Sequence, residues 1–139
     1  MTYQLAHNAI RDRFNTQWAS ATEIAWPNKE FDDRVLNTLD EWVRFRIDEA
    51  GAGWASMGDP GNNINRTLGQ VTCSVFVKPD IGDKRALELA DLIVAAFIGW
   101  EDATTRVRFR IPPYVRPVGN DRNWYQINVI APFERDALA

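Results

Sequence analysis

WVRFRID, residues 42–48, decides how this chain folds. Val43, Phe45 and Ile47 alternate with Trp42, Arg44, Arg46 and Asp48. A strand turns successive side chains to opposite faces, so the first three face a core and the others face away. The same period returns in LGQVTCSVFVK, residues 68–78, where Val71, Cys73, Val75 and Val77 point inward and Gln70, Thr72, Ser74 and Phe76 outward. Pro79 ends that strand by removing a backbone donor. Two half-buried strands need an apolar layer to pack against.

Helices supply that layer. Over residues 2–19, Ala6, Ile10, Phe14 and Trp18 recur every fourth residue with Leu5 and Ala9 beside them, while Gln4, Asn8, Arg11 and Asn15 take the other side. Thr2 can cap this helix, although Leu5 rather than Glu or Gln follows three residues on, so there is no capping box. A second helix starts at Asp83, its expected cap, and runs to Ile98, with Gly99 as the left-handed terminator. Lys84, Glu88, Asp91 and Ala95 trace a narrow polar stripe on it, so most of its circumference must be covered. It is either the central core helix or one shared with a neighbouring subunit.

The remaining strands are shorter signals. Residues 23–26, EIAW, form an edge strand or strap cut off by Pro27. Residues 106–111 place Val107, Phe109 and Ile111 inward, and residues 124–131 place Tyr125, Ile127 and Val129 inward. The turn residues Gly119, Asn120 and Asp121 between them predict a long hairpin. Residues 50–66, AGAGWASMGDPGNNINR, have no periodicity and several glycines, which predicts a long flexible loop carrying Trp54 and Met57 near its tip. The expected fold is α+β: two helices packed on a mixed, mainly antiparallel sheet of about four to five strands, in a single domain over residues 1–139.

Composition narrows the function classes. The 139 residues are 45% hydrophobic and 25% charged, the balance of one ordinary globular domain. A net charge of −3 rules out bulk attraction to nucleic acid. One cysteine, Cys73, excludes an internal disulfide and a cysteine metal cluster. The longest apolar run, residues 92–98, is far short of the roughly 20 residues that span a membrane. No signal pattern opens the chain, so a cytoplasmic location at synthesis and no membrane partner are expected. Six tryptophans are the oddity, and they lean towards contacts between proteins.

Groups for catalysis are scarce. His7, the only histidine, lies beside the apolar stripe of the first helix and reads as packing or surface. Cys73 falls on an inward strand face, where cysteine behaves as a small hydrophobe. The acid pairs Asp32-Asp33 and Asp40-Glu41 read as solvated connector residues. Gly51, Gly53 and Gly58 lack the following helix that a phosphate loop needs. No catalytic, cofactor or metal residue is expected, and the chain is not expected to be an enzyme. The arginines are more interesting: Arg44 and Arg46 share one polar strand face, and Arg106, Arg108 and Arg110 share another. They either pair across strands with Asp48 or Glu134, or contact a neighbouring subunit or DNA. Trp54 and Met57 either fold back on the domain or anchor a partner.

These residues also carry a resemblance. Ile10-Arg11-Asp12-Arg13-Phe14 with Trp18, then Ile24-Ala25-Trp26-Pro27-Asn28 with Phe31, then Trp42-Val43-Arg44, resemble the N-terminal half of small tail proteins of long-tailed bacteriophages. Gly69-Gln70-Val71, Val75-Phe76-Val77, Gly82, Arg85-Ala86-Leu87 and Ala90-Asp91 extend the likeness, which covers about residues 3–130. The pattern is similar to the tail terminator, or tail completion, proteins. That resemblance implies a ring, commonly a hexamer, at the head-proximal end of the tail tube, where it stops tube growth and presents a surface to the head. It implies as partners the chain itself, the tail tube protein and the head–tail connector protein, with DNA only passing through. It implies the virion tail as location, after assembly in the host cytoplasm. Trp54, Met57, Arg44, Arg46, Arg106, Arg108 and Arg110 are the candidate assembly contacts. A head–tail connector or neck protein is the nearest alternative reading, and a small α+β ligand-binding domain or enzyme is the farther one.

Overall fold

A computed structural model describes residues 3–27, 39–80, 82–120 and 123–138. Helix α1, Tyr3–Trp18, is followed by the short strand β1, Glu23–Ala25. Two long strands come next, β2, Glu41–Trp54, and β3, Ile64–Val77, each of 14 residues. Helix α2, Lys84–Phe97, leads to the small strands β4, Glu101–Asp102, and β5, Val107–Arg108. Strands β6, Tyr114–Asn120, and β7, Tyr125–Leu138, complete the chain.

The sheet runs β1-β2-β3-β7-β5-β4, and β6 also pairs with β7. All pairings are antiparallel except β1 with β2, so the sheet is mixed as expected. It has seven strands rather than four to five. The additional strands have no apolar alternation to announce them: β6 is exposed along nearly its whole length and contains Pro117. β5 and β6 share one edge of β7, with β6 along residues 125–130 and β5 along residues 134–135. Pro132 falls between the two, where a residue without a backbone donor is tolerated.

Both helices cover one face of the sheet. Ala6, Ile10, Phe14 and Trp18 are buried, as their four-residue spacing requires, whereas Leu5 is exposed. The Phe14 ring is the hub, 5.1 Å from Phe45, 6.0 Å from Phe97 and 5.3 Å from Trp18 between ring centroids. Arg13 ties the helices together, its Nε donating to the Ala96 carbonyl at 2.8 Å in the last turn of α2. Carbonyls there lack helical partners, so a cation suits them. Gly99 terminates α2 with φ +66° as expected, but the Asp83 side chain makes no capping hydrogen bond. Cys73 is fully buried in this core. The opposite face carries a smaller cluster in which Trp42 stacks on its cross-strand partner Phe76 at 4.1 Å, with Trp124 at its edge.

Two expectations are corrected. Residues 50–66 are not all loop: β2 continues through Trp54 and β3 begins at Ile64, leaving residues 55–63 as the connection. The glycines concealed this because residues 50–54 lie past the helices, are exposed, and so have no core to impose alternation. Residues 106–111 form a strand only at Val107–Arg108, and Ile111 is exposed rather than inward. The hairpin forms instead between β6 and β7. The expected cap at Thr2 and the acid pair Asp32-Asp33 lie outside the described residues.

Candidate assembly surface

The three long strands extend about 45 Å at the usual strand rise, and their far ends project past the last helix contacts. Those contacts are ionic. Arg135, almost fully buried, donates through Nε to Glu49 Oε1 at 2.8 Å and through Nη2 to Oε2 at 3.0 Å. His7 Nε2 lies 3.3 Å from the same carboxylate, and the Arg135 guanidinium sits 4.5 Å from the Tyr3 ring centroid. Burial alone would raise the Glu49 carboxyl, but Arg135 and then His7 outweigh it and hold the group below its ordinary value. His7 therefore links helix α1 to the sheet through the Glu49 carboxylate.

On the opposite face, arginines and carboxylates interlock. Arg66 Nε donates to Asp136 Oδ1 at 2.8 Å. Arg108 reaches both Glu134 Oε1 and Asp136 Oδ2 at 3.0 Å, and Arg110 lies 3.1 Å from Glu134. The Arg66 hydrogen bond, and then Arg108, hold the Asp136 carboxyl down at about 2.

The candidate arginines do not form one cluster, because β3 and β7 stand between β2 and β5. Arg44 lies over the Phe76 ring at 5.1 Å, and Arg46 Nε donates to Asp48 at 2.8 Å. Arg106 does not share the face of Arg108 and Arg110; it occupies a turn with φ +57°. Arg108 pairs across strands with Glu134 and Arg110 reaches the same carboxylate, whereas Arg46 pairs with Asp48 along its own strand rather than across. Sequence reading passed over Arg66, Glu49 and Arg135. Glu49 continues the inward series Val43, Phe45, Ile47, and Arg135 continues Ile127, Val129, Ala131, Phe133. One acid and one base on inward phases were the available signal for a buried pair.

The apolar candidates do reach solvent. Trp54 ends β2 at 58% exposed and Met57 in the following turn is 82% exposed. Single exposed apolar side chains are ordinary surface, and it is a contiguous exposed apolar patch that marks a contact site. A groove of about 340 Å³ lies on the arginine face, between Leu68, Pro132, Ile111 and Arg110. Cys73 is buried, and burial pushes its thiol up, so it offers no thiolate. Among the described residues no group of three or more His, Cys, Asp or Glu side chains is placed to hold a metal. No described helix is long and apolar enough to cross a membrane.

Comparison with known proteins gives the setting for these contacts. No curated protein matches the chain. One solved structure superposes with a TM-score of 0.66 at 18% identity, covering 96% of this chain and 97% of its own, which is a likeness of fold. A family model described as phage tail terminator protein matches residues 6–133. Helix α2, strands β1 to β6 and most of α1 and β7 fall inside that span, and the chain belongs to the phage tail terminator family of structural phage tail proteins.

Proposed function

We propose that this chain forms a ring, a hexamer, on the head-proximal end of the tail tube, where it stops polymerisation and presents the surface for head joining. The observation that carries this reading is the projecting β2–β3 hairpin, whose tip holds Trp54 and Met57 away from the core of its own subunit. An aromatic and a flexible thioether on an exposed tip have most of their burial still to gain, and a neighbouring protein supplies it. The chain's own copies, the tail tube protein and the head–tail connector protein are its partners. DNA only passes through the ring: Glu134 and Asp136 neutralise most of the charge of Arg66, Arg108 and Arg110, leaving little to bind phosphates.

A terminator must match the last tube ring on one face and lack the tube-extending surface on the other. Light scattering across a concentration series, with and without purified tail tubes, followed by electron microscopy, tests this. A ring, or a monomer that becomes a ring on tube ends and halts their growth, is the expected result. A monomer indifferent to tubes overturns the reading.

A further inference from the structure

We propose that the hairpin tip of one copy seats in the groove beside Leu68 of the next, so that identical subunits join head to tail. The inference rests on the ring reading above and names the contact that builds the ring.

Knob and groove belong to opposite phases of one sheet. In the register of β2 with β3, Trp54 pairs with Asn65 and Ala52 with Thr67, while Gly51 pairs with Leu68. Directly paired residues share a face and neighbours along a strand alternate. Thr67 pairs in turn with Arg135, whose side chain meets Glu49 and Tyr3 on the helix side. By register Trp54 takes the helix-side phase and Leu68 the other; the two border one hollow at the hairpin end, but the groove between Leu68, Pro132 and Ile111 is lined by no residue of the tip. The hairpin ladder holds both in place, so a subunit cannot fill its own groove with its own tip. Only a second copy can bring the two together.

Chemistry matches across the contact. Asp59 is the only charged residue in the stretch of residues 54–63, and it sits two positions beyond Met57. Arg110 stands at the rim of the groove, one Nη 3.1 Å from Glu134 and its side chain 62% exposed, so its guanidinium can bridge Glu134 and an incoming Asp59. Leu68 and Ile111, both more than half exposed, provide apolar walls for an aromatic or thioether side chain. A contact between two different patches is heterologous, and such contacts close into rings when the rotation per subunit divides a full turn.

Cysteines at Met57→Cys and Ile111→Cys, both exposed sites, test the contact directly, since the native Cys73 is buried. Each single variant, and a mixture of the two, is assembled on tail tubes and treated with a short bis-maleimide. Covalent dimers are expected from the mixture and not from either variant alone, and the double variant is expected to give a ladder ending at the ring. The swap Asp59→Arg with Arg110→Asp adds a second readout: each single change is expected to weaken assembly at least ~10-fold, and the pair to restore it. Rings that form without the cross-link, and single changes that leave assembly unaltered, overturn this contact and leave the ring reading standing. Absence of any ring overturns both.

Discussion

The Phe133 ring lies across Gly69 so closely that a Cβ on that glycine would meet Phe133 Cζ at 2.6 Å and the Asp48 carbonyl oxygen at 2.8 Å. Gly69 and Phe133 are direct cross-strand partners, so the missing side chain of one makes room for the large side chain of the other. Gly69→Ala is expected to cost about 1–3 kcal/mol, the usual penalty of overpacking. The urea midpoint measures it. In a Phe133→Leu background the cost falls but does not vanish, because the backbone oxygen of Asp48 cannot move aside like a side chain. An unchanged midpoint for Gly69→Ala contradicts the close approach.

Acid should act on the arginine–carboxylate lattice. The Asp136 carboxyl is held at about 2 in the folded chain, below its ordinary value near 3.9 in an unfolded one. A depressed carboxyl stabilises fully above the unfolded value, and that contribution is lost as pH falls towards the folded one. Wild-type stability should therefore drop between about pH 4 and pH 2, and Asp136→Asn should flatten this slope while lowering stability at neutral pH. Thermal unfolding across that range decides it. An identical acid slope in the variant would sink the assignment.

Glu49 and Arg135 form a pair that neither member can leave alone. Truncating one strands the other in a nearly dry site, and removal of one partner of a buried pair typically costs about 3–5 kcal/mol. Arg135→Met and Glu49→Leu should each destabilise strongly, and the double variant should recover much of the loss. A double-mutant cycle by chemical denaturation reads the coupling, and simple additivity of the two losses refutes it.

The hairpin tip should be dispensable for folding. Residues 55–63 join β2 to β3 beyond the helices, and a two-residue Asn-Gly turn can close the same pair of strands. Replacement of residues 56–63 by Asn-Gly, which keeps Ala55 opposite Ile64 and so preserves the register, combined with Trp54→Ala, is expected to leave the circular dichroism spectrum and melting temperature close to wild type. Assembly on tail tubes should fall by at least ~10-fold. Normal assembly of this variant removes the tip from the interface.

How much of this was legible follows from where the core is. Val43, Phe45, Val71 and Phe14 announced their strands and helix because one face of each element is dry, and dryness is what writes a period into sequence. Residues 50–54 and 114–120 are strand with both faces largely wet, so glycine and proline dominated their reading. Arg44 and Arg108 looked alike in sequence, but two intervening strands separate them, and strand order is not written in local pattern. The Glu49–Arg135 pair spans 86 positions and showed only as two charges standing in phase with apolar, inward-facing neighbours. Trp54 and Met57 stood out because nothing near them in sequence could bury them, and both are exposed.

The sheet is clamped at one end and loaded at the other. Up to Glu49 and Arg135, the helices grip it through packed rings and a buried ion pair. Past that line, strand hydrogen bonds and the Arg66–Asp136–Arg108 bridge hold it. It is a cantilever whose rigidity is set by charge at the tip and by hydrocarbon at the root. Protonating Asp136 softens the overhang, and acid reaches the Glu49 clamp as well. The hydrocarbon packed around residues 71–77 takes up no proton, so in acid the amides of residues 64–66 and 136–138 should exchange with solvent long before those of residues 71–77.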